Sequence, residues 1–516
     1  MSTHPVTSTP SLRLAPTLAM TSQRWQGRVA VAVAGLVALL GIVQVAGVEN
    51  GAAGTLVGVA LIAVGRPLAR GRRRAQLAAL GLVAAALMLD GDLTGGPVIL
   101  LAATVIALLV ATPAFPARGD PATRRHLVPA GALLTVGLAA DLAYARGAVA
   151  HPLGVTLIVA ALLLGSRALR AWSSAPRVSE ADRRRAAQLV RAGGRDTLAP
   201  FALRSDKQPF FDSTGDSLLT YRVIAGVALV SGDPIGDERR FTSLTREFAG
   251  FARKRGWAVA ALGQSGRHVG LWQELGLRAH YTGDEAVVDS RTFTLEGRGV
   301  RKVRQSVQRL EREGYQTRLL ASAEIDAELA GQIRAIAERW RGTARETGFS
   351  MAFEGADVRS DRDDVYMVAF DTTDTPRAFL HFGCAPAARA LSLSSMRRDR
   401  DTPNGLNEFL IVRTLEWARE HGVDRVSLNF AAFALLLDPP GELDTVAAIE
   451  RRVLKRVEHR FQLERLLTFS EKFSPSWTPR YAAYPSLAAL PRVALAAMIA
   501  ESYIALPRAP WRRVAG

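Results

Sequence analysis

The chain has 516 residues, with 65 Lys plus Arg against 48 Asp plus Glu, a net charge of +17 and a single cysteine, Cys384. One cysteine excludes an internal disulfide and any cysteine-based metal site, and the 8 histidines show no His-x-x-x-His spacing, so no metal is expected. The cationic balance points toward polyanionic partners, phospholipid headgroups or nucleic acid, rather than cationic ones.

The first 170 residues hold 14 Arg and only 5 acidic residues, distributed around six apolar stretches at about 27–47, 52–69, 76–90, 96–112, 126–145 and 152–169. About 20 apolar residues rising 1.5 Å each cross a hydrocarbon core, so this pattern predicts an all-α transmembrane bundle of about six helices over 27–170, after an N-terminal arm, 1–26. The stretch 76–90 is short for a span. Arginines collect on alternate connections: Arg13, Arg24 and Arg28; Arg66, Arg70 and Arg72 to Arg74; Arg118, Arg124 and Arg125; Arg167, Arg170 and Arg177. The intervening connections hold Glu49, then Asp90 and Asp92, then Arg146 with His151. Cationic loops stay inside, which predicts a multi-pass protein of the inner membrane with both ends of the block, and all that follows, in the cytoplasm.

Residues 171–200 are polar and Arg-rich and read as a juxtamembrane linker or helix. From 201 the pattern becomes α/β. Leu218–Val223 and Val227–Ser231 read as paired strands, Phe241–Arg255 as a helix stopped by Gly256, Ala258–Leu262 as a strand, and His268–Glu274 as a short helix closed by Gly276. Residues 201–297 form a first module, 298–314 a basic connecting helix, 315–490 a second module and 491–516 a tail. The run Phe251-Ala-Arg-Lys-Arg-Gly256-Trp-Ala-Val-Ala-Ala-Leu262 is echoed by Trp417-Ala-Arg-Glu-His-Gly422-Val-Asp-Arg-Val-Ser-Leu428. Helix end, glycine stop and buried strand recur, each after a strand–turn–strand region, which predicts two copies of one α/β unit.

That unit resembles the GNAT acyltransferase fold. Acetyl-CoA enzymes of this fold present Arg/Gln-x-x-Gly-x-Gly/Ala at a helix start, where backbone N–H groups hold pyrophosphate. Here the nearest match, Arg267-His-Val-Gly270-Leu-Trp272, ends in a bulky indole that would keep the backbone from a phosphate, so no CoA and no other cofactor is expected. The connecting helix is the densest cationic segment. Arg301, Arg304, Gln305 and Gln308 share one face, while Val300, Val303, Val307 and Leu310 form an apolar stripe. Forked guanidinium donors on such a face suit phosphates; a solvated surface is the plainer reading.

Ser231-Gly-Asp-Pro-Ile-Gly236, Tyr281-Thr-Gly-Asp-Glu285, Leu295-Glu-Gly-Arg298 with Arg301-x-x-Arg304-Gln305, Pro403-Asn-Gly405, Leu428-Asn429-Phe430 and Lys472-Phe-Ser-Pro475-Ser-Trp477-Thr-Pro479-Arg480-Tyr481 follow one another in that order. Together, from about 200 to 490, they resemble the phosphatidylglycerol lysyltransferase family, the aminoacyl-phosphatidylglycerol synthases of multiple-peptide-resistance type. The resemblance implies tandem GNAT-like modules that move an aminoacyl group from aminoacyl-tRNA to a glycerol hydroxyl of phosphatidylglycerol, without CoA or metal. It implies resistance to cationic antimicrobial peptides, because the modified surface is less anionic.

The resemblance carries Arg397 and Lys472 to basic positions suited to phosphate or oxyanion charge, and Glu408 to an acidic position that binds an ammonium group or assists proton transfer. Asn429 would orient the aminoacyl group. Trp477 and Arg480 would line the same substrate site, with Arg301, Arg304 and Gln305 contacting substrate from the basic helix. Plainer readings stay open: Arg397 as one surface charge of Arg397-Arg398-Asp399-Arg400, Glu408 as a first-turn carboxylate, Asn429 as a turn residue, Lys472 as solvated. His381, on an apolar strand, reads as a core histidine. Where the family often has Asp-Leu-Met-Arg, this chain has Ser394-Ser395-Met396-Arg397, a hydroxyl in place of a carboxylate. Ser394 therefore leaves the transferred amino acid open. Fem-like transfer to a peptidoglycan precursor, and a non-catalytic membrane scaffold or lipid translocator, are the alternative functions.

Overall fold

The computed structural model describes residues 18–46, 51–89, 96–119, 121–145, 151–169, 175–176, 178–343, 346, 348–354, 358, 363–432 and 463–504. The chain divides into two compact units, one of residues 1–173 and 253–257, the other of the remainder.

The first unit holds six helices among the described residues: α1 (Leu18–Ala46), α2 (Gly51–Ala69), α3 (Arg73–Leu89), α4 (Gly96–Val110), α5 (Leu127–Ala145) and α6 (His151–Ala168). They fall on the six apolar stretches. Glycines let their backbones touch. A Cβ added at Gly41 of α1 would lie 2.6 Å from the Gly58 carbonyl of α2, and one at Gly137 of α5 would lie 3.1 Å from the Gly154 carbonyl of α6. Small residues at such crossings let helix backbones approach closely. Val37, Leu40, Leu61 and Leu68 are buried, yet Val31, Ile42, Leu77, Ile99, Ile106 and Leu163 stay exposed, so the bundle is apolar outside as well as inside. By length and composition one segment, Trp25–Ala46, 22 residues of mean hydropathy 2.5, is long and apolar enough to cross a membrane; α2, α4, α5 and α6 contain shorter apolar runs.

The second unit opens with α7 (Glu180–Gly193), whose start is fixed by a capping box in which the Ser179 hydroxyl accepts from the Asp182 N–H. Its strands are β1 (Gln208–Phe211), β2 (Ser217–Ile224), β3 (Val227–Ser231), β4 (Ile235–Gly236), β5 (Ala258–Ser265), β6 (Arg278–Asp289), β7 (Gln316–Ala321), β8 (Asp364–Phe370), β9 (Pro376–Ala385), β10 (Ala390–Arg398), β11 (Arg425–Ala432) and β12 (Ser476–Tyr484). The helices among them are α8 (Phe241–Lys254), α9 (Val269–Glu274), α10 (Arg301–Arg312), α11 (Ala327–Arg341), α12 (Leu406–Glu420), α13 (Leu463–Glu471) and, last, α14 (Leu490–Ala500). The strands and helices expected from 218 to 274 and the basic helix are present within a few residues of their expected ends. On α10 the apolar stripe Val303, Val307 and Leu310 is buried, as its spacing requires.

All 12 described strands join one sheet in the order β1-β2-β3-β5-β12-β6-β11-β10-β9-β8-β7, with β4 beside β2. The predicted repeat is visible in this order. β2-β3-α8-β5-α9-β6 and β9-β10-α12-β11-α13-β12 are the same sequence of elements: an antiparallel pair, a helix, then a strand parallel to the pair's second member. Gly256 and Gly422, the two glycine stops, take matching left-handed φ of 71° and 70°. What the echo did not reveal is an exchange. The last strand of each copy lies beside the other copy: β12 pairs with β5, β6 pairs with β11, and the two pair with each other at the sheet centre.

A proline inside β12 tests that arrangement. Ala483 is fully buried and registers with both Ala261 and Ala279. Ala483→Pro, which removes a ladder N–H from a central strand, is expected to cost about 3 kcal/mol or more of stability, seen as a lowered melting temperature of the detergent-purified chain. An unchanged melting temperature would contradict the exchange.

Candidate active site

The parallel strands β10 and β11 pair through Ala390↔Arg425, Leu391↔Val426 and Ser392↔Ser427, then part. Both strands are irregular where they separate. In its pairing with β9, β10 shifts register between Leu393 and Ser395, and in its pairing with β6, β11 shifts between Ser427 and Phe430. Such bulges re-aim side chains. Ser394 and Asn429 sit on them. Asn429 takes φ 79°, a left-handed conformation that Asn tolerates better than most residues.

The backbone at 349–353 is held across the opening. The Asn429 amide donates to the carbonyls of Met351 and Leu393, each at 3.2 Å, and the Ser394 hydroxyl accepts from the Phe353 N–H at 2.9 Å. The expected Asp-to-Ser departure thus has a definite role: the hydroxyl anchors this segment. Glu501 fixes the segment's start, accepting from the N–H of Phe349 at 2.6 Å and of Ser350 at 3.2 Å. Arg204 fixes its end, donating to the Ala352 carbonyl at 2.8 Å.

At the carboxyl end of β10, Arg397 pairs with Glu346 at 3.2 Å, and Glu346 also holds Arg341 at 2.8 Å. Two guanidiniums on one carboxylate leave a local positive excess. The chain then turns into α12, whose first turn carries Glu408. Gly405 before it has φ 88°, and a Cβ there would come 2.5 Å from the Ser306 hydroxyl of α10. Arg309 of α10 also donates to the Asn404 carbonyl, so the basic helix packs directly on this turn. Lys472, just after α13, donates to Glu408 at 2.8 Å. Glu408 is mostly covered while Lys472 keeps 36% of its side chain exposed. An ammonium has three donors, so Lys472 retains capacity for a substrate oxygen.

Arg480 is placed differently from a substrate ligand. It is 1% exposed, and its guanidinium meets Asp196 at 2.9 Å, the Thr197 hydroxyl at 3.0 Å and Glu285, through Nε, at 3.0 Å. Burial works against its charge, but Asp196 and Glu285 outweigh that and hold its pKa above the ordinary value. Glu285, wholly buried, also accepts from Thr197 at 2.6 Å and from Ser427, the last paired residue before the parting. Arg480 therefore organises the site from beneath. Burial raises the pKa of the Asp196 carboxyl, with Asp233 and Glu285 adding to the rise against Arg480.

The other expected site residues lie outside these contacts. Trp477 is 36% exposed on β12, opposite Ala286. Arg301 and Gln305 are exposed on α10, whereas Arg304 is turned inward and donates to the Leu295 carbonyl at 2.5 Å. His381 is buried, 2.7 Å from Asp364 and stacked on Tyr366, as a core histidine should be. The structure thus brings Ser394 together with Asn429 and Glu408 with Lys472, and gives Arg397 its own ion-pair network. Residues 433–462, between β11 and α13, lie outside the described residues. Two small cavities, one beside Phe353 and Cys384 and one beside Asp196 and Asp233, are lined by none of Arg397, Asn429 and Lys472.

The equivalent parting in the first copy is filled. Gln264 donates to the Gly232 carbonyl at 2.6 Å and accepts from the buried Trp272 indole at 2.8 Å. Trp272 is thus buried against β5. Beneath lies Lys207, which sequence reading missed: it is 2% exposed and donates to the Phe201 carbonyl and the Ser231 hydroxyl, both at 2.7 Å. Burial, helped by Arg204, pushes its pKa down to about 7.

The phosphatidylglycerol lysyltransferase C-terminal family model matches residues 186–484, more than half of the sequence. The chain belongs to this family. Among relatives, the lysylphosphatidylglycerol biosynthesis bifunctional protein LysX of Mycobacterium avium is 36% identical over 318 residues, 61% of this chain and 27% of that protein. Its Gordonia bronchialis counterpart is 33% identical over 331 residues, 62% of this chain and 29% of that protein. The match thus spans under a third of these relatives' length. Among solved structures, L-PGS from Bacillus licheniformis superposes with a TM-score of 0.56 at 24% identity, over 63% of this chain and 98% of that one. The C-terminal domain of a putative lysylphosphatidylglycerol synthetase from Agrobacterium fabrum gives 0.54 at 24%, over 62% and 96%. The second unit, two copies of one α/β unit on one sheet, shares the fold of these two structures.

Two substitutions test the buried charges. Arg480→Met leaves Glu285 without its cation and is expected to cost about 3–5 kcal/mol, with part of the loss recovered when Glu285→Gln is added. A melting temperature within a degree of wild type would contradict this. Lys207 binds its proton less tightly when folded, so above about pH 7 the unfolded chain holds more protons and this residue's contribution to stability rises with pH. The difference in melting temperature between wild type and Lys207→Met should shift in favour of wild type from pH 7 to 9; a pH-independent difference would refute the assignment.

Proposed function

We propose that this protein transfers an aminoacyl group from aminoacyl-tRNA to the glycerol hydroxyl of phosphatidylglycerol, at the parting of β10 and β11, on the cytoplasmic face of a membrane crossed by the N-terminal helices. The observations that carry the reading are the pairing of Glu408 with Lys472 and the parting of β10 and β11 at Ser394 and Asn429, in a chain of this family. The LysX relatives are named for lysylphosphatidylglycerol biosynthesis, which supports the acceptor. The exposed apolar faces of α1 to α6 support lipid around them, with the alternating arginines setting their direction.

The reaction exchanges one ester for another. The lipid hydroxyl oxygen attacks the aminoacyl carbonyl carbon; the bond from that carbon to the tRNA's terminal ribose oxygen breaks, and the lipid's proton finishes on the ribose. No external energy source is required. Lys472 stabilises the oxyanion and Glu408 holds it in place; Arg397 receives the lipid phosphate. The Asn429 amide keeps the 351–353 backbone seated, shaping the wall against which the aminoacyl group lies. Arg301 and Gln305, exposed on α10, meet RNA phosphates by shape and charge rather than by base reading.

Mass spectrometry of phospholipids from a host that lacks aminoacylated lipids tests this. Expression should produce an aminoacyl-phosphatidylglycerol, whose mass identifies the amino acid, and Lys472→Ala should lower it about 100-fold, the scale of one lost oxyanion donor. No new lipid from the wild-type chain would sink the proposal and leave the Fem-like transfer and the scaffold or translocator readings.

A further inference from the structure

Residues 349–353 are buried, yet they belong to no helix or strand. Buried backbone groups need partners, and here they come from side chains far along the chain. The Phe349 N–H donates to Glu501 Oε2 at 2.6 Å, and the Ser350 N–H and hydroxyl donate to its Oε1 at 3.2 and 3.0 Å. The Gly348 N–H donates to the Glu501 carbonyl at 3.2 Å. Farther along, Asn429 donates to the Met351 carbonyl, Arg204 donates to that of Ala352, and Ser394 accepts from the Phe353 N–H. With no ladder of its own, the segment stands where these residues put it.

Glu501 follows directly on α14, and α14 is fixed to the first copy. Val493, Ala496, Ile499 and Ala500 are buried against Ile224, Val227 and Leu229 of β2 and β3. Arg492 donates to the Ala225 carbonyl at 2.9 and 2.7 Å, setting the helix's orientation on those strands. From the same side, Lys207 places its Nζ 4.7 Å from the centre of the Phe349 ring, a cation–π contact. The first copy thus carries a carboxylate to the segment that spans the second copy's parting. A negative charge at the C-terminal end of a helix is opposed by the helix dipole, so α14 itself gains nothing from Glu501. Its two oxygens match two successive N–H groups; a carboxamide would offer one acceptor oxygen and turn a donor toward the other N–H. Glu501 also lies beyond residue 484, where the family match ends.

We propose that Glu501 is a positioning residue for the aminoacyl donor: it seats the 348–353 backbone against the parting of β10 and β11 in the conformation that receives the aminoacyl group. The inference rests on the transfer reading above and adds which residue sets the donor's fit. A segment seated in only about a tenth of the molecules weakens the apparent donor affinity about tenfold, because donor binding must then seat it. At saturation the donor itself holds the segment, so kcat changes little. Phosphatidylglycerol, whose phosphate falls to Arg397, keeps its KM.

The test uses the full chain in vesicles of phosphatidylcholine with phosphatidylglycerol, and tRNA charged with the amino acid found in the product lipid. Glu501→Gln should raise the KM for aminoacyl-tRNA about tenfold, with kcat and the lipid KM within about twofold of wild type. Ser350→Ala removes the hydroxyl bond alone, so it decides the matter should Glu501→Gln not fold; it should raise the same KM about threefold. General destabilisation instead lowers kcat at an unchanged donor KM, and that result would overturn the proposal. So would equal rises in the donor and lipid KM values. Hydrogen exchange gives a readout that needs no turnover. The amides of 349–353 should exchange several-fold faster in Glu501→Gln, with those of β9 and β10 unchanged, and exchange equal to wild type would also overturn the proposal. A wild-type chain that makes no aminoacylated lipid refutes the transfer reading, and exchange alone then decides whether Glu501 seats the segment.

Discussion

The second unit of this protein depends on one buried ion pair. Arg480 on β12 and Glu285 on β6 face each other at the centre of a sheet built from two copies of one α/β unit, and each is at most 1% exposed. Two charges so deep are tolerated because each guanidinium nitrogen has an acceptor, Glu285, Asp196 or Thr197, while Glu285 also accepts from Ser427. The pair sits where the last strands of the two copies cross over, so the contact that closes the sheet also fixes the base of the candidate site. Through Ser427, it reaches the last rung before β10 and β11 separate.

From that rung outward the two copies differ. In the first, Gln264 and Trp272 fill the space between strands, leaving a scaffold. In the second, the strands bulge and the gap is spanned by a borrowed backbone segment held by Asn429 and Ser394. A hydroxyl suffices at 394 because the group it meets is a backbone N–H, which an uncharged acceptor satisfies as well as a carboxylate does.

Much of this was legible in the residues. Alternation marked β2, β3 and β5, periodicity marked α8 and α10, and the two glycine stops gave the repeat, since these signals are local. The strand exchange was not legible, because pairing between residues some 200 positions apart leaves no periodic trace. Arg480 was misplaced among the substrate ligands for a related reason. Arginine is almost never wholly buried, so its position in a basic motif suggested phosphate. Only its neighbours in space, Glu285 and Asp196, show where its charge is spent. Lys207 was missed likewise, being an unremarkable residue in Ser205-Asp-Lys207-Gln until the fold encloses it.

The exchanged strands also set an order of events during synthesis. β6 ends at Asp289 and β12 begins at Ser476, so the ribosome makes most of the second copy before the sheet's central strand exists. At about 5–20 residues per second, β5 waits ten seconds or more with an unpaired edge. A nascent chain in that state offers a template for wrong pairing.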